Sequence, residues 1–298
     1  MNSFKRCCFG LLFSLLLLAG AACQKNVPVA QPVESPVRPA FAVENAPEIW
    51  ASYLALAKGQ PLKPVHLEGS LRYRNPKNDG HRVSFYLWSN GDYPYRLDLL
   101  AGFGSVAMSV REARGDFLAY LPKDKKAYAH KGSQTPRFVL PGLDYPFPLT
   151  LADLANLLQN RYASLFGTSY LSAVQASALN LPDLGKNFSG VAYTLDNGTL
   201  GGQLVLDANG RPVLWQEGDG QGWSILSGYA EEAERSPLTV GSSALSIKKL
   251  TISHARNYSA VLLLKECDYP ATPYSEAQLA LLLGSDVKML PIARLQQK

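Results

Sequence analysis

"HRVSFYLWSNGDYPYRLDLLAGFGSVAMSV", residues 81–110, decides the fold. In its first segment Val83, Phe85 and Leu87 alternate with Ser84, Tyr86 and Trp88, the two-residue period of a β-strand. Asn90-Gly91 is a turn signal, and two further strand-like runs, 95–102 and 105–113, follow at short intervals. Strands joined by such short connections run antiparallel. Apolar or aromatic residues occupy both faces of the first run. Such a strand is either covered on both sides or lines an interior cavity.

The pattern extends in both directions. "VHLEGSLRYRN" (65–75) precedes it, and "DFLAYLPKD" (116–124) and "KAYAHK" (126–131) follow, which makes a six-strand meander. In "FPLTLADLANLLQNRYASLFG" (147–167) the period changes, with Leu151, Leu154, Leu157 and Leu158 at helical spacing behind Thr150 as the cap. A weaker helical stretch is expected in "SYLSAVQASALN" (169–180). Strand-like runs resume from 188 to 267, including "PLTVGSSA" (237–244), with Asn197-Gly198 and Asn209-Gly210 as hairpin signals. Upstream, "APEIWASYLALAK" (46–58) places Ile49, Tyr53 and Leu54 on one helical face. A short helix in 272–286 and a basic tail close the chain.

The N-terminus reads as a leader. Lys5 and Arg6 precede an apolar block to Leu18 and small residues before Cys23, a secretory signal too short to span a membrane. Gly20-Ala21-Ala22-Cys23 is similar to the lipobox of bacterial lipoproteins, which implies acylation of Cys23. Gln24 rather than aspartate follows, which under that family's rule implies the outer membrane, facing the periplasm. Pro28, Pro32, Pro36 and Pro39 then mark an extended tether. The expected domains are thus a signal (1–22), the lipidated cysteine and tether (23–44), a β-rich domain (45–270) and a C-terminal helix and tail (271–298).

Composition narrows the function. The 298 residues are 47% hydrophobic and 18% charged, ordinary for a globular chain. Loss of Lys5 and Arg6 takes two from 29 basic side chains against 24 acidic ones, a mild basicity that suits an anionic surface but not nucleic acid. Of four cysteines only Cys267 remains beyond the lipidated one, so no intramolecular disulfide forms in the mature chain. The four histidines, His66, His81, His130 and His254, lack metal-ligand spacing, and no metal or cofactor is expected. The glycines of "GDGQG" open a strand rather than a helix, which makes them turns and not a phosphate cradle. No Gly-x-Ser-x-Gly elbow is present, and the chain is expected not to be an enzyme.

This order of helix, six-strand meander, helical insert and further strands resembles the LolA/LolB family of lipoprotein carriers. "HLEGSLRYRN", the 81–110 stretch and "FPLTLADLANLLQ" look like the early strands and lid helix of its outer-membrane receptor branch, LolB. The likeness covers about residues 46–266. It implies a mainly β chain, a half-open antiparallel β-barrel with a helical lid that binds acyl chains. It implies as partners outer-membrane lipid, the acyl chains of lipoproteins and a periplasmic LolA-like carrier.

In LolB a turn between early strands projects an apolar residue toward the membrane. Here Gly102-Phe103-Gly104 stands at the matching place, so Phe103 is the expected membrane-touching residue; the other reading has it folding back over its own sheet. Phe85, Tyr86, Leu87, Trp88, Leu154, Leu158, Trp215 and Trp223 are the candidates to line an acyl-chain cavity, or else form a solid core. An envelope interaction module on the same fold, without lipid transfer, is the competing reading.

Overall fold

Alternation of apolar and polar residues gives each strand one face to bury, and short turns keep successive strands adjacent. The computed structural model describes residues 43–58, 61–132, 147–179, 181–184, 188–218, 221–230 and 247–292, apart from the side chains of Phe103 and Pro182. Cys23, its lipobox, the tether and the strand expected at 237–244 lie outside the described residues. The first meander is β1 (Val65–Arg74), β2 (Gly80–Ser89), β3 (Tyr95–Leu100), β4 (Val106–Ala113), β5 (Asp116–Leu121) and β6 (Lys126–Lys131). The second is β7 (Tyr170–Gln175), β8 (Gly190–Leu195), β9 (Gln203–Asp207), β10 (Pro212–Gln216), β11 (Trp223–Tyr229), β12 (Ile247–His254) and β13 (Tyr258–Asp268). A last strand, β14 (Lys288–Pro291), pairs in parallel with β6.

Pairing of β1 with β13, from His66 opposite Asp268 to Arg74 opposite Ser259, fuses the two meanders into one sheet, fourteen strands among the described residues. Its edges are β14 and β7, so the sheet is open, as the half-open barrel reading expected. The chain is mostly β with few helices. The stretch read as a weak helix at 169–180 is instead β7 followed by a 3₁₀ turn at Ala176–Ala178. Leu171 is 69% exposed there, because an edge strand with one neighbour has little need of a buried phase. The segment expected as a C-terminal helix and tail also contains a strand, β14.

The inner face carries Leu67, Leu71, Phe85, Leu87, Leu97, Leu99, Met108 and Val110 in one continuous core. Gly69 faces Phe85 across β1 and β2, and a Cβ there would overlap both the Phe85 ring and the Leu263 carbonyl. Gly69→Ala is therefore expected to destabilise by about 2 kcal/mol, read as a lower urea midpoint with unchanged slope.

Three helices pack on this face. α1 (Ala46–Ala57) buries Ile49, Trp50 and Tyr53, and its start is tied down by the Tyr193 hydroxyl, which donates to the Ala46 carbonyl at 2.7 Å. α2 (Leu151–Leu158) begins with a reciprocal cap: Thr150 Oγ1 accepts from the Asp153 N–H, and the Asp153 carboxylate accepts from the Thr150 N–H. α3 (Ala163–Phe166) follows directly and buries Leu165 and Phe166. A fourth, short helix, α4 (Glu276–Leu279), lies in the C-terminal segment. That segment is held to β3 by Arg96, which donates to the Gln278 and Ala280 carbonyls. Ala40–Lys298 form one compact unit that contains all fourteen strands and the whole described core, which is what a segment needs to fold alone.

Candidate functional site

The site is the apolar interior between the inner face of the sheet and α2. An amphipathic helix ordinarily leaves one face in water. α2 does not: Leu151, Ala152, Leu154, Ala155, Asn156, Leu157 and Leu158 are all buried, which leaves Asp153 alone half-exposed. The helix expected as the lid is seated on the inner face of the sheet with nearly all of its side chains covered.

Two polar groups make this enclosure costly. Glu112 continues the inner phase of β4 after Met108 and Val110, and it is fully buried. Its Oε2 accepts from the Leu151 N–H at 2.7 Å, at the first turn of α2. Burial pushes its carboxyl up to about 7; the Leu151 N–H works against that rise and the nearby Asp153 charge adds to it. Burial, helped by the Glu112 charge, likewise pushes Tyr93 up to about 12. The second group is Asn156, 9% exposed, whose Oδ1 has no hydrogen-bond partner among the described residues. An orphaned buried acceptor costs about 1–3 kcal/mol.

Of the expected lining residues, Phe85, Leu87, Leu154, Leu158, Trp215 and Trp223 all belong to the one inner core. Trp223 stacks on Phe147 at 6.0 Å, and Trp215 Nε1 donates to the Gly201 carbonyl at 2.8 Å. Leu154 is the most exposed of the six at 8%. Residues so fully covered pack against other atoms, and a chain entering here must displace them. Tyr86 and Trp88, expected beside them, lie on the outer face instead, because successive strand residues alternate sides. There they are half-buried, and each stacks against His66 at 5.8 Å.

The loop after β3 is a single 3₁₀ turn, Gly102–Gly104, with Gly104 at φ +76, a conformation that favours glycine. A Cβ at Gly102 or Gly104 would meet nothing within 4 Å, so there is open space beside the turn. Val106, just beyond, is 39% exposed. The Phe103 side chain lies outside the described set. Elsewhere, Cys267 is half-buried and burial raises its thiol pKa.

Sequence reasoning missed Glu112 as a functional residue. Its signal was present: a carboxylate in phase with Met108 and Val110 on a strand whose inner face is otherwise apolar. Trp50 was missed as well, although at helical spacing it falls between Tyr53 and Leu54 on the same face.

No family model matches the chain, and no curated protein matches it. Among solved structures, a LolA superfamily protein from Nitrosomonas europaea is similar at 12% identity with a TM-score of 0.44, over 76% of this chain and 94% of that one. A DUF1329 family protein from Desulfovibrio piger aligns at 11% identity and TM-score 0.49, over 80% and 98%. An outer membrane lipoprotein-sorting protein domain from Vibrio parahaemolyticus aligns at 11% and 0.46, over 78% and 94%.

Proposed function

We propose that this chain is a non-enzymatic acyl-chain-binding protein of the LolA/LolB kind, held at the outer membrane through Cys23, which accepts or inserts lipoproteins. The observation that carries the reading is the enclosed α2, an apolar helix seated on an apolar sheet face with a buried carboxylate at its start and an orphaned acceptor midway along it. Those two groups offset part of the burial that holds the helix in place. An acyl chain that takes over the Leu154 and Leu158 side of the interior recovers about 0.8 kcal/mol for each methylene it buries, with no covalent step. Exchange with a periplasmic LolA-like carrier then runs on the difference in apolar burial between two interiors. Phe103, on the turn with open space beside it, is the residue assigned to the membrane, where a buried phenylalanine contributes about 1.5–3 kcal/mol.

The test is native mass spectrometry of residues 40–298 after incubation with a synthetic triacylated lipopeptide. A retained lipopeptide mass is the expected result. An unliganded mass throughout would overturn the reading in favour of an envelope interaction module.

A further inference from the structure

The outer face of the sheet carries a second site, unrelated to the interior. Cross-strand register sets Ser70 of β1 opposite Ser84 of β2, and Ser84 opposite Leu100 of β3. Two small residues in one row leave a groove of about 360 Å³ across the strands, bounded by Arg82 and Tyr86 along its sides and by Lys265 and the Gly102–Gly104 turn at its ends. Ser70 is only 6% exposed, and neither serine hydroxyl makes a hydrogen bond among the described residues. Both serines line the groove, so their hydroxyls stand where an acceptor from outside can reach them.

Charge says what kind of acceptor. Arg82 lies directly opposite Arg72, and like charges facing across strands are destabilising. Arg72, Arg74 and Arg82 form no ion pair among the described residues, whereas Lys265 is shared with Glu68 at 3.6 Å. Of the acids on this face, Glu68 lies opposite Tyr86 and is paired with Lys265, Asp98 of β3 is paired with Arg96 at 3.0 Å, and Glu266 and Asp268 lie farther along β13. The end of the face nearer the turn thus carries the cations that have no ion pair among the described residues, Arg82 among them. Leu100 walls the groove on that side, and Val106, its partner in β4, is exposed.

We propose that this groove binds the phosphate of an anionic phospholipid headgroup at a membrane surface, with Arg82 and Lys265 as the cations and the Ser70 and Ser84 hydroxyls as donors. The apolar Leu100 and Val106 beside it favour a phosphate that arrives attached to lipid over a free one. The site stands independently of acyl-chain binding in the interior.

The experiment is co-flotation of residues 40–298 with vesicles of phosphatidylcholine alone or mixed in equal parts with phosphatidylglycerol. Binding is expected to favour the mixed vesicles, and Arg82→Gln to weaken it about fivefold, the effect of one cation at an anionic surface. Arg82→Lys restores most of the binding, and Ser70→Ala weakens it with no change of charge. Lys63→Gln, on the segment packed against the opposite turn at Gly91, leaves it unchanged. Equal losses in Lys63→Gln and Arg82→Gln, or no loss in Arg82→Gln with its melting temperature intact, would overturn the site. So would displacement by inorganic phosphate at matched ionic strength, which would mark a free-anion site. A lipopeptide adduct retained by Arg82→Gln separates failure here from failure of the interior reading.

Discussion

The Glu112→Gln protein is expected to be more stable than its parent by about 2–3 kcal/mol at pH 8 and no more stable at pH 4. The sign follows from where the proton sits. The carboxyl ordinarily titrates at 4.5, but in the folded protein burial holds it at about 7. Between those values the folded state keeps a proton that the unfolded chain has lost, so stability is greatest at low pH and falls as pH rises through the window. Above about 7 both states are ionised and the full cost of a buried charge remains. Glutamine removes the charge and keeps an oxygen for the Leu151 N–H. Urea midpoints from pH 4 to 8 check this: the parent's should fall across the window and the variant's stay flat. Parallel profiles would mean that Glu112 titrates near its ordinary value. Where acyl chains enter by displacing α2, the variant should also take up lipopeptide more slowly at pH 8, because the helix is seated more firmly.

Trp50→Ala should cost about 4 kcal/mol, the usual range for deleting a buried aromatic. Trp50 is 5% exposed, its ring centroid lies 4.6 Å from that of Tyr53 and 4.9 Å from those of Tyr170 and Tyr193, and its Nε1 donates to the Thr168 carbonyl at 3.2 Å. One side chain thus joins α1, the entry to β7, and β8. Trp50→Phe keeps most of the apolar contact, loses the hydrogen bond, and should cost about 1–2 kcal/mol. Thermal or urea unfolding of the two variants distinguishes packing from hydrogen bonding; near-equal losses would put the weight on the indole N–H.

The first meander was legible in the sequence because its inner residues repeat without a break, Val83, Phe85 and Leu87 leading to Leu97 and Leu99 and then Met108 and Val110. The start of α2 was equally legible, since Thr150 three residues before Asp153 is a local signature of a cap. Edge strands were not. β7 has only one neighbour, and its apolar residues are spaced in a way that also fits a helix; β14 is four residues long and takes its strand geometry from β6. Register was also beyond reach. No single strand says that Ser70 meets Ser84 or that Arg72 meets Arg82, so the outer groove emerges only when the strands are aligned. The mixed assignment of Tyr86 and Trp88 with Phe85 and Leu87 has a related origin, for apolar character on both faces was read as one lining.

The pairing of β1 with β13 joins segments about two hundred residues apart in the chain. A chain emerging from a ribosome or an export channel presents β1 early, and β2 can cover only one of its sides. Its other edge stays open until Asp268 has emerged. Folding of this protein is therefore governed by its last quarter: a long-range closure of this kind is slow, and the unpaired edge is a template for wrong partners while it waits. Chains that stop short of β13 should consequently be lost to aggregation or proteolysis even though they contain both α2 and the complete first meander.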